Sequence, residues 1–184
     1  IALSEDNYGN VWIGTGVGVA SFSPNLEKFT AKVFPAHFDA EYAFGFYAES
    51  EYIWMATDRG LVRCHIPTGE MSILGREQGL PVDKLFQVVA QGDSFWLSSN
   101  RGVIQVNQKQ VKQRLAQLAQ NNALPIQYQL YDEGDGMLSA QANGGSNPSA
   151  VLHKDGSIWI ATAQGASTIV PERLKQATKK TLPT

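Results

Sequence analysis

Three aspartates, Asp6, Asp93 and Asp155, stand a few residues ahead of tryptophan-bearing apolar runs, where a calcium loop or a catalytic acid would have to be sought. A calcium loop needs several oxygen ligands at alternate positions. These carboxylates stand singly in polar turns, where Asp bonds its own backbone. His37, His65 and His153 have no His-x-x-x-His or Cys partner, so no metal set is predicted. Ser146 and Ser149 lack a Gly-x-Ser-x-Gly elbow, and the glycine pairs follow no dinucleotide-binding pattern. Cys64 lies in an apolar strand and reads as a buried thiol. The residue types thus predict no catalysis, no metal and no cofactor. What remains is recognition by polar groups, with Arg59, Arg101, Asn143 and Asn147 as the ligand-binding candidates.

Those four residues lie far apart in sequence, and a repeat must bring them together. Val11-Trp12-Ile13-Gly14-Thr15 runs to Gly18, Ile53-Trp54-Met55-Ala56-Thr57 to Gly60, Phe95-Trp96-Leu97-Ser98-Ser99 to Gly102, and Ile158-Trp159-Ile160-Ala161-Thr162 to Gly165. The glycine always falls six residues after the tryptophan, and the tryptophans are 42, 42 and 63 residues apart. An apolar β-rich run, a polar turn, a glycine and a second apolar run make a β-hairpin. The loop, Asp58-Arg59-Gly60 in the second copy, predicts a three-residue connection with glycine in the left-handed region. A lone hairpin cannot bury a tryptophan, so the units must stack sheet on sheet. Each ring should remove on the order of 150–250 Å² from water. A period near 42 with one aromatic and one turn glycine per unit predicts an all-β fold of four-stranded antiparallel β-propeller blades.

The blades are expected over about 1–34, 43–75, 85–131 and 149–170, giving a propeller fragment over 1–171. The long interval holds an inserted amphipathic helix at 108–121, with Val111, Leu115 and Leu118 at i, i+4 and i+7 and Asn107 as N-cap. Its apolar stripe should lie on the blade, with Lys109, Lys112 and Arg114 on other faces. No fourth strand is evident in the last unit, and the polar residues 172–184 read as a linker to a following domain.

With 43% apolar and 17% charged residues, the 184-residue chain has the make-up of a globular core. A net charge of −2 and a pI near 5.9 give no reason to expect nucleic acid or an anionic membrane surface as partner. One cysteine makes no internal disulfide and chooses no compartment. No run approaches the length of a membrane-spanning helix. The chain opens on Ile1 within a β-patterned segment and reads as a piece of a longer protein.

Asp6-Asn7-Tyr8-Gly9-Asn10-Val11-Trp12-Ile13-Gly14-Thr15 and Gly79-Leu80-Pro81 resemble the two-component regulator propeller repeat. Asp135-Gly136-Met137, Asn143-Gly144-Gly145, Pro148 and Asp155-Gly156-Ser157-Ile158-Trp159-Ile160-Ala161-Thr162, closing on Val170-Pro171, resemble the last blade of that array. Ser98-Ser99 departs from the Gly-Thr or Ala-Thr usual there, and Ala142 and Ala166 stand where larger residues are common. The resemblance implies the C-terminal blades of a periplasmic, seven-bladed sensing propeller. It further implies a β-sandwich domain, a transmembrane helix and an output module to follow, either a histidine kinase or a GGDEF diguanylate cyclase. Ser4-x-Asp6-x-x-Gly9-x-x-Trp12 is also close to the Asp-box of sialidases with one residue too many. The six arginines show no cluster with a tyrosine–acid pair, so that chemistry is not expected.

Because successive strands reverse direction, the second-to-third-strand turns and the blade-to-blade linkers emerge on one face of the disc. That face carries Arg59, Arg101, Asn143 and Asn147, and there a small molecule or oligosaccharide would be recognised. The rival function is a scaffold for dimerisation or protein partners, which an exposed apolar patch would favour over a polar funnel. Partners expected on either reading are the remaining blades of the same propeller and, in isolation, further copies of the fragment.

Overall fold

The computed structural model describes residues 1–118 and 125–180, with side chains through Lys175. The chain folds into successive antiparallel sheets, each a meander. The first joins β1 (Ala2–Glu5), β2 (Val11–Gly14), β3 (Val19–Ser23) and β4 (Lys28–Lys32). The second joins β5 (Ala43–Glu49), β6 (Tyr52–Thr57), β7 (Gly60–His65) and β8 (Met71–Leu74). The third joins β9 (Leu85–Gln91), β10 (Ser94–Ser99) and β11 (Gly102–Asn107), then, beyond α1 (Gln108–Ala116), β12 (Tyr128–Tyr131). The fourth has three strands, β13 (Ala150–Leu152), β14 (Ile158–Thr162) and β15 (Gly165–Ile169), and is followed by α2 (Pro171–Lys180). These are propeller-like blades, as the repeat predicts.

The hairpin at the centre of the second, third and fourth blades is tighter than expected. Thr57 pairs with Gly60 across the ladder, so the loop is Asp58-Arg59 alone and the glycine begins the next strand. Ser99 pairs with Gly102 and Thr162 with Gly165 in the same way. Glycine is required there for two reasons. Its φ is +137° at Gly60 and +117° at Gly102, and a Cβ would run into the carbonyl oxygens of Leu74 and Tyr131 at the ends of the outer strands. A hydroxyl closes each loop: Thr15, Thr57, Ser99 and Thr162 all donate to the carbonyl of the glycine three residues on, at 2.7–2.9 Å. The same hydroxyls accept from the backbone N–H two residues on.

Alternation decides what each sheet buries. Trp12 packs with Ile53 and Met55 of the second sheet, Trp54 with Phe95 and Leu97 of the third, and Trp96 with Ile158 and Ile160 of the fourth. Each of these three tryptophans therefore covers the face of the sheet that follows it, and all three are at most 2% exposed. Trp159 breaks the expectation of four buried anchors: among the described residues no further sheet packs on it, and it is 47% exposed beside Val151. The inner strands approach most closely. A Cβ at Gly14 would overlap the carbonyl of Ala43, and one at Gly45 the Gln87 side chain and the Phe86 carbonyl.

The helical insertion ends earlier than its periodicity suggested. Helix α1 stops at Ala116, with Val111 and Leu115 buried against the second and third sheets and Leu118 left 36% exposed. The Asn121-Asn122 end expected for it lies outside the described residues. Asn107 caps α1 by accepting from the Gln110 N–H at 3.1 Å, and Lys112 reaches Glu49 of the second sheet at 2.5 Å. The start of the stretch read as a linker is helical. Helix α2 runs from Pro171, whose fixed φ and missing N–H suit a first helical position, and Leu174 packs on the third and fourth sheets.

Candidate functional site

Fixing a two-residue loop at both ends leaves its second residue projecting from the sheet edge. That position is Val17, Arg59, Arg101 and Gln164 in the four blades. Arg59 and Arg101 come together on one pocket of about 440 Å³. The linker between the second and third blades adds Arg76 from a short 3-10 turn and Asp83 and Lys84 from its end, while Asp58 and Tyr42 close the other side.

The charges in this pocket are not equally engaged. Arg59 donates through Nε to the Asp39 carbonyl and carboxylate, both at 3.1 Å. Arg76 lies 3.7 Å from the Asp83 carboxylate. The Asp58 carboxylate accepts the backbone N–H groups of Glu41 and Tyr42 at 3.0 and 2.9 Å, anchoring the preceding linker to the turn. Lys84 has its ammonium 5.2 Å from the Phe44 ring centre and 5.8 Å from that of Phe86. Tyr42 stacks on Phe44 at 5.6 Å with 6° between the rings, which extends an aromatic floor towards solvent. The Arg101 guanidinium has no hydrogen-bond or ion-pair partner among the described residues.

Asn143 borders a neighbouring hollow of about 610 Å³, shared with Lys84, Asn100, Phe44 and Phe86. Its own side chain shapes the loop: Oδ1 accepts the Gly145 N–H at 2.9 Å and Nδ2 donates to Ser146 Oγ at 3.3 Å. Gly144 lies against the Phe86 ring where any Cβ would overlap it. Asn147 is turned inward, donating to the Phe44 carbonyl at 3.3 Å and to Gln87 Oε1 at 3.2 Å. It ties the loop before the fourth blade to the second and third. So Arg59 and Arg101 share a pocket, Asn143 edges the next one, and Asn147 is a fastening inside the array. Lys84 was not singled out from the sequence. The available signal was its place immediately before β9, where the linker face meets the start of an inner strand.

Elsewhere the titratable groups serve the fold. Burial pushes Asp6 up, yet hydrogen bonds from the Trp12 indole at 2.7 Å, the Asn10 side chain and N–H, and the Tyr8 N–H outweigh it and hold the carboxyl below its usual range. Asp155 is held well below that range by the Ser157 hydroxyl and N–H, with His153 alongside. Burial pushes the Cys64 thiol up, as expected for an inert buried cysteine. Among the described residues no three His, Cys, Asp or Glu side chains are grouped to hold a metal. A wider cleft of about 820 Å³ lies between the third sheet and α2, lined by Trp96, Gln105, Gln129 and Tyr131.

The fold has close counterparts among solved structures. The extracellular domain of the hybrid two-component system BT3049 from B. thetaiotaomicron superposes with a TM-score of 0.72 at 19% identity, over 96% of this chain and 22% of that one. The extracellular domain of the one-component system BT4673 from the same organism gives 0.63 at 14% identity, over 91% and 21%. PorZ, a surface component of the type-IX secretion system of Porphyromonas gingivalis, gives 0.53 at 17% identity, over 92% and 25%. At such identities the likeness is one of fold, and the chain spans about a fifth to a quarter of these structures. No protein-family model and no curated protein matches the sequence.

Proposed function

We propose that this chain is a noncatalytic ligand-sensing segment of a β-propeller in the periplasmic part of a transmembrane signalling protein. The observation that carries the reading is the pocket on the linker face, where the turns of two successive blades and the linker between them converge arginine, lysine and aromatic side chains. A few polar groups converging beside aromatic walls in a concave site are a common make-up of a small-molecule site. Among the residues lining this pocket no nucleophile is paired with a base, which suits recognition without turnover. The extracellular domains with the same fold belong to two-component and one-component systems, and they support the signalling role. No helix of the described residues is long and apolar enough to cross a membrane. An anchor and an output module, a histidine kinase or a diguanylate cyclase, would then lie elsewhere in the protein.

The experiment is a thermal-shift screen of the protein against sugars, oligosaccharides, amino acids and organic acids. A ligand that binds only the native state raises the melting temperature in proportion to the logarithm of its concentration above Kd. A concentration-dependent rise for one chemical class supports the sensor. No rise with any class favours the scaffold reading, for which the exposed Val151 and Trp159 of the fourth sheet speak.

A further inference from the structure

We infer that the linker-face pocket takes an anionic ligand, whose carboxylate, phosphate or sulfate group is held between Arg101 and Lys84. This rests on the reading of that face as a ligand site and deepens it by naming the chemistry. Four cations, Arg59, Arg76, Lys84 and Arg101, line the pocket against two carboxylates, Asp58 and Asp83. Asp83 is paired with Arg76 and Arg59 is held by Asp39, while Asp58 accepts two backbone N–H groups through Oδ1 and keeps its negative charge. Lys84 and Arg101 are left without an ion-pair partner among the described residues, so with Asp58 counted the pocket keeps one positive charge in excess.

The excess is local. The chain as a whole carries −2, so a positive pocket runs against its net charge. The equivalent turn positions of the outer blades hold Val17 and Gln164, so the arginines are not something the repeat requires. A bare turn arginine pays for itself only by solubility, whereas two facing one pocket beside a lysine raise the local concentration of anions. The geometry favours recognition over mere attraction. The clamp on Ser99 fixes the Arg101 backbone through a 3.1 Å hydrogen bond, and the rings of Phe44 and Phe86 fix the approach of Lys84. A guanidinium offers a planar fork that matches an oxyanion, and the ammonium on the same pocket supplies a point charge. Tyr42, stacked on Phe44, gives a ring-bearing ligand a wall beside its charged group.

The test is an NMR titration of the chain at fixed ionic strength, following its amides and arginine Nε–H groups, with inorganic phosphate, glucuronate and glucose as probes. Phosphate and glucuronate are expected to shift the Asn100 and Arg101 signals saturably. Arg101→Gln and Lys84→Gln should each weaken that binding about tenfold, the loss of one charge-assisted hydrogen bond, while Arg173→Gln leaves it unchanged. Both anions should also lose affinity as salt is raised. Glucuronate binding tighter than phosphate assigns the group to an acidic sugar; the reverse order assigns it to a free oxyanion. Glucose shifting the same signals as strongly as glucuronate overturns the anionic assignment and leaves the ligand site standing. Shifts that grow linearly and persist in Arg101→Gln, with the spectrum still that of a folded protein, overturn it as well. The underlying reading fails separately, if a ligand found by thermal shift moves no signal on this face.

Discussion

The single atom that recurs in every blade is the hydroxyl three residues after the tryptophan. Thr15, Thr57, Ser99 and Thr162 each donate to a glycine carbonyl and accept an N–H of the loop. Ser99, which departs from the usual threonine, keeps this atom and loses only the methyl. Thr57→Val should therefore cost about 1–3 kcal/mol, since two polar groups of a buried turn lose their partner, while Thr57→Ser stays close to the parent in urea unfolding. The same substitution should loosen Arg59, whose backbone the hydroxyl holds. Asp6 carries a second residue-scale prediction. Its folded pKa lies below the unfolded value, so its contribution to stability is present above the ordinary carboxylate pKa and is lost as pH falls through the folded value. Asp6→Asn should flatten the acid side of the pH–stability profile measured by chemical denaturation. A profile unchanged by that substitution would show that the Trp12 indole and the turn amides do not favour the charged form.

At the scale of elements, hydrophobic period was a sound guide wherever a residue faced a neighbouring sheet. The strands and their order were legible because alternation and the 42-residue interval are imposed by stacking. The helix was legible as a helix but not in length, because Leu118 fits the stripe and the stripe says nothing about where the blade surface ends. Leu115→Ala should cost about 2–5 kcal/mol by leaving a cavity between α1 and the sheets, whereas Leu118→Ala, at a partly exposed site, should change thermal stability little. A comparable loss in both variants would mean that α1 packs further along than Ala116. The helix at the start of the tail was not legible because its composition is polar on most faces, and Leu174 is a residue whose packing reports it. The site was half legible. Arg59 and Arg101 follow from the repeat register, which marks the turn position facing the linkers. Asn147 could not be distinguished from them, because the same polar side chain can face a hollow or fasten a loop, and its inward bonds to Phe44 and Gln87 appear only in three dimensions.

For the whole molecule, the stacking rule has no natural end. Each of the first three tryptophans covers the next sheet, and the last one, Trp159, is left half exposed with Val151 at 45%. At the other end, register places Leu3 and Ile13 opposite in facing to Trp12, alongside Val11, Phe22 and Phe29. Leu3 is 65% and Phe29 67% exposed. These two surfaces are unlike each other, so contact between copies would be head to tail, a geometry that either closes into a ring or runs on as a filament. Within a longer protein the same faces would be covered by further blades. In isolation, then, the chain should self-associate, its weight-average mass in analytical ultracentrifugation rising with concentration. Trp159→Ser should shift that equilibrium towards monomer, since it removes the largest apolar group of one partner surface without touching a buried core. Phe29→Ser should do the same from the other side, and the two together should do little more than either alone, because both act on one interface. Strict monomer behaviour of the parent across a wide concentration range would mean that neither end needs a neighbour.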